Sequence, residues 1–338
     1  MRMRMHTLLW TLLIVTTSNA ITDHQSNILS VGDWGSAALG GYHLKNAQAT
    51  SNALQQYVKE RAPVLVLNPG DNFYYCGIQN GSDPQINEDF VNLFGSIHVP
   101  WYNALGNHDY GFNPDAQLWL NKTIPTWTMD GRYYHKRIEL APSATLNVIV
   151  LDTNPCVSDY RGNDRAKWDP CGLQYPVCQP TAEQCRFHEN ILEQDCTSQL
   201  QWFNQTLESI DAANEWVFVV GHHKANEIDV ENFQELLSDD RVHLYINGHA
   251  HNLEHYSIDN EPKYITTGAG GMVIGHMLHD DDDADLVHKP EERFHSMWLK
   301  VVTGFTSHTF VDNYSQVVTE FWDTNQNVIY NMTVSRKP

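Results

Sequence analysis

Five short segments of the chain each set a glycine beside side chains able to hold a metal ion. They are Gly32-Asp33-Trp34-Gly35, Gly70-Asp71-Asn72-Phe73-Tyr74, Gly106-Asn107-His108-Asp109, Gly221-His222-His223 and Gly248-His249-Ala250-His251-Asn252. Among them, Asp33, Asp71, Tyr74, Asn107, His222, His249 and His251 offer carboxylate, phenolate, amide and imidazole donors. That mixture of hard and borderline ligands suits iron, manganese or zinc rather than the soft metals that thiolates hold. One carboxylate can bridge two ions with its two oxygens, and a tyrosinate suits a hard trivalent ion such as Fe(III). Two ions about 3.5–4 Å apart form a clamp for in-line attack at a phosphoryl group. Each segment alone has an ordinary reading: an Asp after a strand is usually a cap or turn residue, and two nearby histidines can be one core and one surface residue. The inference rests on all five occurring together.

Strands must position these segments. Apolar runs at 28–31, 64–67, 101–105, 216–220 and 242–246 lead into the five glycine segments, and a sixth run lies at 146–151. Such near-continuous β-rich runs are expected of strands buried on both faces. In open α/β sheets ligands bind beyond the carboxyl ends of the strands, where glycine allows sharp turns and close backbone approach. Helical spacing predicts helices over 43–60 and 198–210, and strand–helix alternation argues for an α/β fold. Four short strands with tight connections are expected at 298–302, 305–311, 317–322 and 328–334. Residues 154–197, rich in Cys, Pro, Asp and Gln, read as an irregular insertion stapled by disulfides, and the run at 280–285 reads as a solvated acidic loop.

The motif set resembles the calcineurin-like metallophosphoesterases, and within them the purple acid phosphatases of the small, tartrate-resistant type. The Gly-Asp-Asn-Phe-Tyr segment ending at Tyr74 is the discriminating piece. The resemblance covers residues 27–334 in order and implies an α/β/β/α sandwich of two mixed sheets flanked by helices. It implies a ferric site made by Asp33, Asp71, Tyr74 and His251, and a divalent site (Fe, Zn or Mn) made by Asp71, Asn107, His222 and His249, with Asp71 bridging. It places Asn107, His108 and His223 beside the substrate. His108 would act as proton donor to the leaving group or as an electrostatic stabiliser. The implied activity is acid hydrolysis of phosphate monoesters, small or protein-borne, by direct attack of a metal-bound hydroxide. The chain departs from the family at Lys224, where many relatives carry proline; this lysine either contacts the phosphate or points to solvent, and solvent is the expectation. No histidine falls between Lys224 and Val242, where some relatives place a second substrate-facing one.

Composition sets the compartment. With 21 Lys+Arg against 41 Asp+Glu the chain of 338 residues carries a formal charge of −20, which argues against sequence-independent binding to a nucleic-acid backbone. Basic Arg2 and Arg4, an apolar stretch at 8–15 and Ser18-Asn19-Ala20 read as a cleaved signal peptide over 1–20. Residues 21–338 are then expected to form one domain. No later run is apolar enough to span a bilayer, and from the polar Ser335-Arg336-Lys337-Pro338 no lipid-anchor tail is expected. Sequons at Asn80, Asn121, Asn204, Asn313 and Asn331 are candidate N-glycan sites. Six cysteines, at 76, 156, 171, 178, 185 and 196, allow fifteen pairings and contain no C-x-x-C. Disulfides are the better reading, with Cys76 bridged to one of the later five or else reduced. These features predict a monomeric, secreted or lysosome-like glycoprotein. Two other functions fit the same fold: a non-catalytic scaffold or adhesion protein, which predicts lost ligands, and a phosphodiesterase or nucleotidase, which a substrate panel separates.

Overall fold

The computed structural model describes residues 26–162, 169–171, 178, 185–273 and 293–336. The expected signal peptide and the acidic run at 280–285 lie outside them. The described chain begins with β1 (Asn27–Ser30), α1 (Gly41–Arg61), β2 (Val66–Asn68), α2 (Asn92–Phe94), β3 (Trp101–Asn103), β4 (Trp127–Thr128), β5 (Tyr134–Ala141) and β6 (Ala144–Val150). It continues through α3 (Ser158–Arg161), α4 (Phe187–Leu192), α5 (Cys196–Glu208), β7 (Trp216–Val220), α6 (Phe233–Ser238), β8 (Leu244–Asn247), β9 (Leu253–Ile258) and β10 (Glu261–Thr267). The last strands are β11 (Phe294–Lys300), β12 (Gly304–Val311), β13 (Gln316–Asp323) and β14 (Val328–Ser335).

Two seven-stranded sheets result, with orders β14-β13-β12-β1-β2-β3-β4 and β11-β9-β10-β8-β7-β6-β5. In the first, β1 to β4 run parallel and β12 joins β1 antiparallel. In the second, β6, β7, β8 and β10 run parallel, while β5 and β9 pair antiparallel with their neighbours. Both sheets are therefore mixed.

The residue pattern of β7 shows why the sheets stack. Trp216, Phe218 and Val220 enter the core between the sheets, whereas Val217 and Val219 pack outward with Phe203 and Leu207 of α5 and Phe233 and Leu237 of α6. This is the period of two that a strand buried on both faces requires. Across the gap Phe218 stacks on Phe310 of β12, with ring centroids 5.9 Å apart. On the far side of the first sheet, Tyr57 of α1 meets Phe305 and Trp322 at 5.7 and 5.4 Å. The layers run helix, sheet, sheet, helix, as expected.

Both predicted helices form, each starting two residues early. α5 begins at Cys196 because the Asp195 side chain accepts the Thr197 N–H and caps it. Two strand starts move inward: Val64 precedes β2 and is 40% exposed, and β8 starts at Leu244. Strands β4, β5, β9 and β10 were not expected. All six cysteines pair, as Cys76–Cys178, Cys156–Cys196 and Cys171–Cys185. Cys76 is thus bridged to the later group, and the insertion is tied both to the turn after β2 and to the start of α5. Among the described residues no helix is long and apolar enough to cross a membrane.

Candidate metal centre

The carboxyl ends of the parallel strands of both sheets meet at one place. Asp33 follows β1, Asp71 and Tyr74 follow β2, and Asn107 and His108 follow β3. From the other sheet, His222 and His223 follow β7, and His249 and His251 follow β8. Asp33, Asp71, His249 and His251 all hold positive φ, at 56°, 54°, 70° and 52°. Non-glycine residues rarely adopt this region, and clusters of them mark functional sites. Glycine is demanded where the loops touch: a Cβ on Gly106 would fall 2.1 Å from Asp71 Oδ1, and one on Gly248 would fall 2.3 Å from Asp33 Oδ2.

Asp33 accepts the Tyr74 hydroxyl at 3.1 Å and the His249 backbone N–H, and its Oδ1 lies 3.5 Å from His251 Nε2. Tyr74 Oη is also 3.1 Å from His251 Nε2. Asp71 Oδ1 accepts the His108 backbone N–H at 2.9 Å and lies 3.4 Å from His222 Nε2. Asn107 Oδ1 is 2.8 Å from His222 Nε2 and 3.0 Å from His249 Nδ1. His108 packs its ring 4.3 Å from Tyr74 and lies 2.7 Å from the Tyr75 carbonyl through Nδ1. A carbonyl only accepts, so Nδ1 carries the hydrogen.

The donors fit metal ions. Asp71 Oδ2 is buried without a hydrogen-bond partner. His222 Nδ1 gives its hydrogen to the Pro69 carbonyl at 2.9 Å, so the Nε2 of the neutral ring aims a lone pair at the oxygens of Asn107 and Asp71. Acceptors that face acceptors repel unless a cation lies among them. In the bare protein a proton does this work: burial would lower His222, but the Asp71 and Asp33 carboxylates raise it to about 9. Burial raises Asp71, yet the charges of His222 and His108 outweigh it and hold that carboxyl well below the ordinary range. Burial, reinforced by Asp71, pushes Asp33 well above it. Burial brings His249 and His251 down to about 3, which leaves both rings neutral, the form that binds metal.

The site also contains residues that the motif reading did not single out. The Asp109 carboxylate accepts the backbone N–H groups of Asn72, Phe73 and Gly106 and the Gln117 amide, clamping the Asp71 loop to the Asn107 loop. Its place within Gly-Asn-His-Asp was a usable signal. Thr153 holds the backbone of His222 and His223 and follows β6 as the other site residues follow their strands. Tyr160, from the insertion, bonds to His223 and had no such signal.

Lys224 does not point to solvent, which corrects the expectation. Its ammonium lies 2.5 Å from the carboxylate of Glu254, which is fully buried, and sits over the rings of Tyr256 and Phe294 at 5.7 and 5.2 Å. A buried acid on β9 needs a cation, and Lys224 supplies it across the gap between the loops. Lys224→Met should therefore lower unfolding stability by about 3 kcal/mol in urea titrations, the cost of leaving a buried charge unpaired. A change below about 1 kcal/mol would show that Glu254 is satisfied otherwise.

Residues 26–253 match the calcineurin-like phosphoesterase family. The chain is similar to tartrate-resistant acid phosphatase type 5 of Mus musculus, at 27% identity over 74% of each chain. It is similar to purple acid phosphatase 7 of Arabidopsis thaliana, at 25% identity over 94% of this chain and 88% of that one. Among solved structures, its fold is similar to GAP50, the anchor in the inner membrane complex of Plasmodium. That match has a TM-score of 0.64 and 21% identity, and covers 93% of this chain and 90% of that one.

Proposed function

The chain belongs to the calcineurin-like phosphoesterase family, and on that premise we propose that it is a secreted or lysosome-like acid phosphatase with a binuclear metal site, hydrolysing phosphate monoesters. The observation that carries this reading is the buried, unpartnered Oδ2 of Asp71 at the meeting point of two donor sets. Asp33, Asp71, Tyr74 and His251 would hold the ferric ion. Asp71, Asn107, His222 and His249 would hold the divalent one, which is Fe, Zn or Mn. When bound, the two ions supply Lewis acidity and lower the pKa of a water. The similarity to tartrate-resistant and purple acid phosphatases supports an acid optimum and a monoester substrate. The GAP50 likeness is one of fold, and the complete donor set favours the enzyme over a scaffold.

The residues around the ions divide the remaining work. The Asp109 clamp and the Thr153 hydroxyl fix the loops, so the donors need no rearrangement to act. Because His108 Nδ1–H is held by the Tyr75 carbonyl, Nε2 is the atom able to hand a proton to the departing alcohol. Burial keeps this imidazole below its ordinary pKa, with Asp71 pulling the other way. We expect His108→Asn to lower kcat about a hundredfold on alkyl phosphates and much less on p-nitrophenyl phosphate, whose leaving group needs no proton. Equal losses on both esters would assign His108 to electrostatic stabilisation. The same panel extended to bis-esters decides between a monoesterase and a phosphodiesterase.

A further inference from the structure

Tyr110 and Asp152 are buried, and neither is among the donors assigned to the two ions. Tyr110 closes the short turn His108–Tyr110 that follows Asn107, and its backbone N–H returns to the Asn107 carbonyl at 3.3 Å. Asp152 follows β6 in the other sheet and immediately precedes Thr153. The Tyr110 hydroxyl donates to Asp152 Oδ2, so a loop of one sheet is bonded to a loop of the other.

Counting hydrogens gives the direction of that bond. Arg132 Nη1 donates to Tyr110 Oη at 2.7 Å, and a guanidinium cannot accept. The phenol hydrogen therefore goes to the carboxylate, and the same guanidinium lies 3.8 Å from Asp152 Oδ2. Asn154 supplies a second tie between the loops. Its Nδ2 donates to Asp152 Oδ1 at 2.9 Å and to the Leu105 carbonyl, two residues before Asn107, at 3.0 Å. Gln199 of α5 accepts the Asp152 N–H at 2.8 Å and donates to its carbonyl at 2.7 Å, which anchors this end of the bridge to a helix. Thr153 Oγ1, next in the chain, accepts the backbone N–H groups of His222 and His223, both at 3.2 Å.

These bonds make a continuous path from Asn107 through Tyr110, Asp152 and Thr153 to His222. Both ends are donors assigned to the divalent ion, and Asn107 Oδ1 lies 2.8 Å from His222 Nε2. Two lone-pair donors this close repel when His222 is neutral, so a frame outside the pair must hold them together. The ferric donors are tied differently: Tyr74 Oη contacts Asp33 and His251 directly, at 3.1 Å each. The Asp109 clamp joins loops of the first sheet only, whereas the Tyr110–Asp152 bond spans both sheets.

We propose that Tyr110 is a positioning residue for the divalent ion: its bond to Asp152 sets the separation of Asn107 from His222, and with it that ion's affinity, while leaving the ferric site unchanged. This inference rests on the two-ion reading above.

The test uses the full chain as purified, with Zn(II) as the probe after the divalent ion is dialysed out. Tyr110→Phe deletes one oxygen and keeps the ring. Titration against a competing chelator should show Zn(II) bound about 10–100-fold more weakly, the usual effect of removing a partner that orients a ligand. Iron content and the visible absorption of tyrosinate on Fe(III) should equal those of the wild type. Asn154→Ala cuts the second tie with Tyr110 in place and should weaken zinc in the same selective way, so it decides the question if Tyr110→Phe does not fold. Unaltered zinc affinity overturns the proposal alone. Loss of iron and zinc in equal proportion also overturns it, because Tyr110 would then act only through general stability. A wild-type protein that binds neither metal overturns the two-ion reading together with the proposal.

Discussion

Asp71→Asn should leave a folded protein with almost no metal and hydrolysis at least about a thousandfold slower. Asp71 is fully buried between the two donor sets. One oxygen is anchored by the His108 N–H and faces His222, while the other has no partner in the protein. An amide keeps the shape but has a single acceptor oxygen and no charge. If the oxygen stays on the His108 N–H, an NH₂ group occupies the place of Oδ2 and cannot ligate an ion. If the amide flips, donor faces donor at His108. Either way the bridge is lost, and a loss of about 4 kcal/mol in transition-state stabilisation corresponds to that rate. Metal analysis and steady-state kinetics on the variant check it. Full metal content with near-normal kcat would remove Asp71 from its proposed role.

Asp109→Ala should cost about 5 kcal/mol of stability and most of the metal. Three backbone N–H groups and one amide lose their acceptor in a site that water does not reach, and each such group costs about 1–3 kcal/mol. The two loops it joins carry Asp71 and Asn107, so the donor sets would separate as well. Asp109→Asn retains one acceptor oxygen and should lose about half as much. Urea unfolding of the metal-free proteins isolates the clamp from any effect of the ions. A shift below about 1 kcal/mol for the alanine variant would mean that other contacts set the loop geometry.

The strand ends were legible because their physics is local. Runs such as Ile28-Leu29-Ser30-Val31 and Trp216 to Val220 are buried on both faces, and they meet Gly32 and Gly221, where an added Cβ would fall 2.6 Å from Pro69 and 2.7 Å from Thr153 and Tyr245. Strands β9 and β10 were not legible, because their buried positions include polar residues whose partners lie far away in the chain. Glu254 is balanced by Lys224, His255 by the Tyr330 hydroxyl and the Pro262 carbonyl, and Lys263 by the carbonyls of Ser238 and Asp239. A hydrophobic period cannot register such pairs. On β5 the alternation is diluted because the strand is half exposed at its sheet's edge. The Lys224 expectation failed for the same reason: a charged side chain beside a glycine segment reads as solvated until the buried acid opposite it is known. Cysteine spacing likewise admits many pairings, and only the fold brings Cys76 beside Cys178.

On the reading proposed above, these donors hold two metal ions and the chain hydrolyses a phosphate monoester. Metal analysis of the purified wild-type chain, with p-nitrophenyl phosphate hydrolysis followed from pH 4 to 8 on the same sample, tests it most directly. Close to two ions per chain, iron among them, and turnover that is greatest at acidic pH are expected. A folded chain that contains no metal and hydrolyses nothing would contradict it and favour a scaffold built on the same fold.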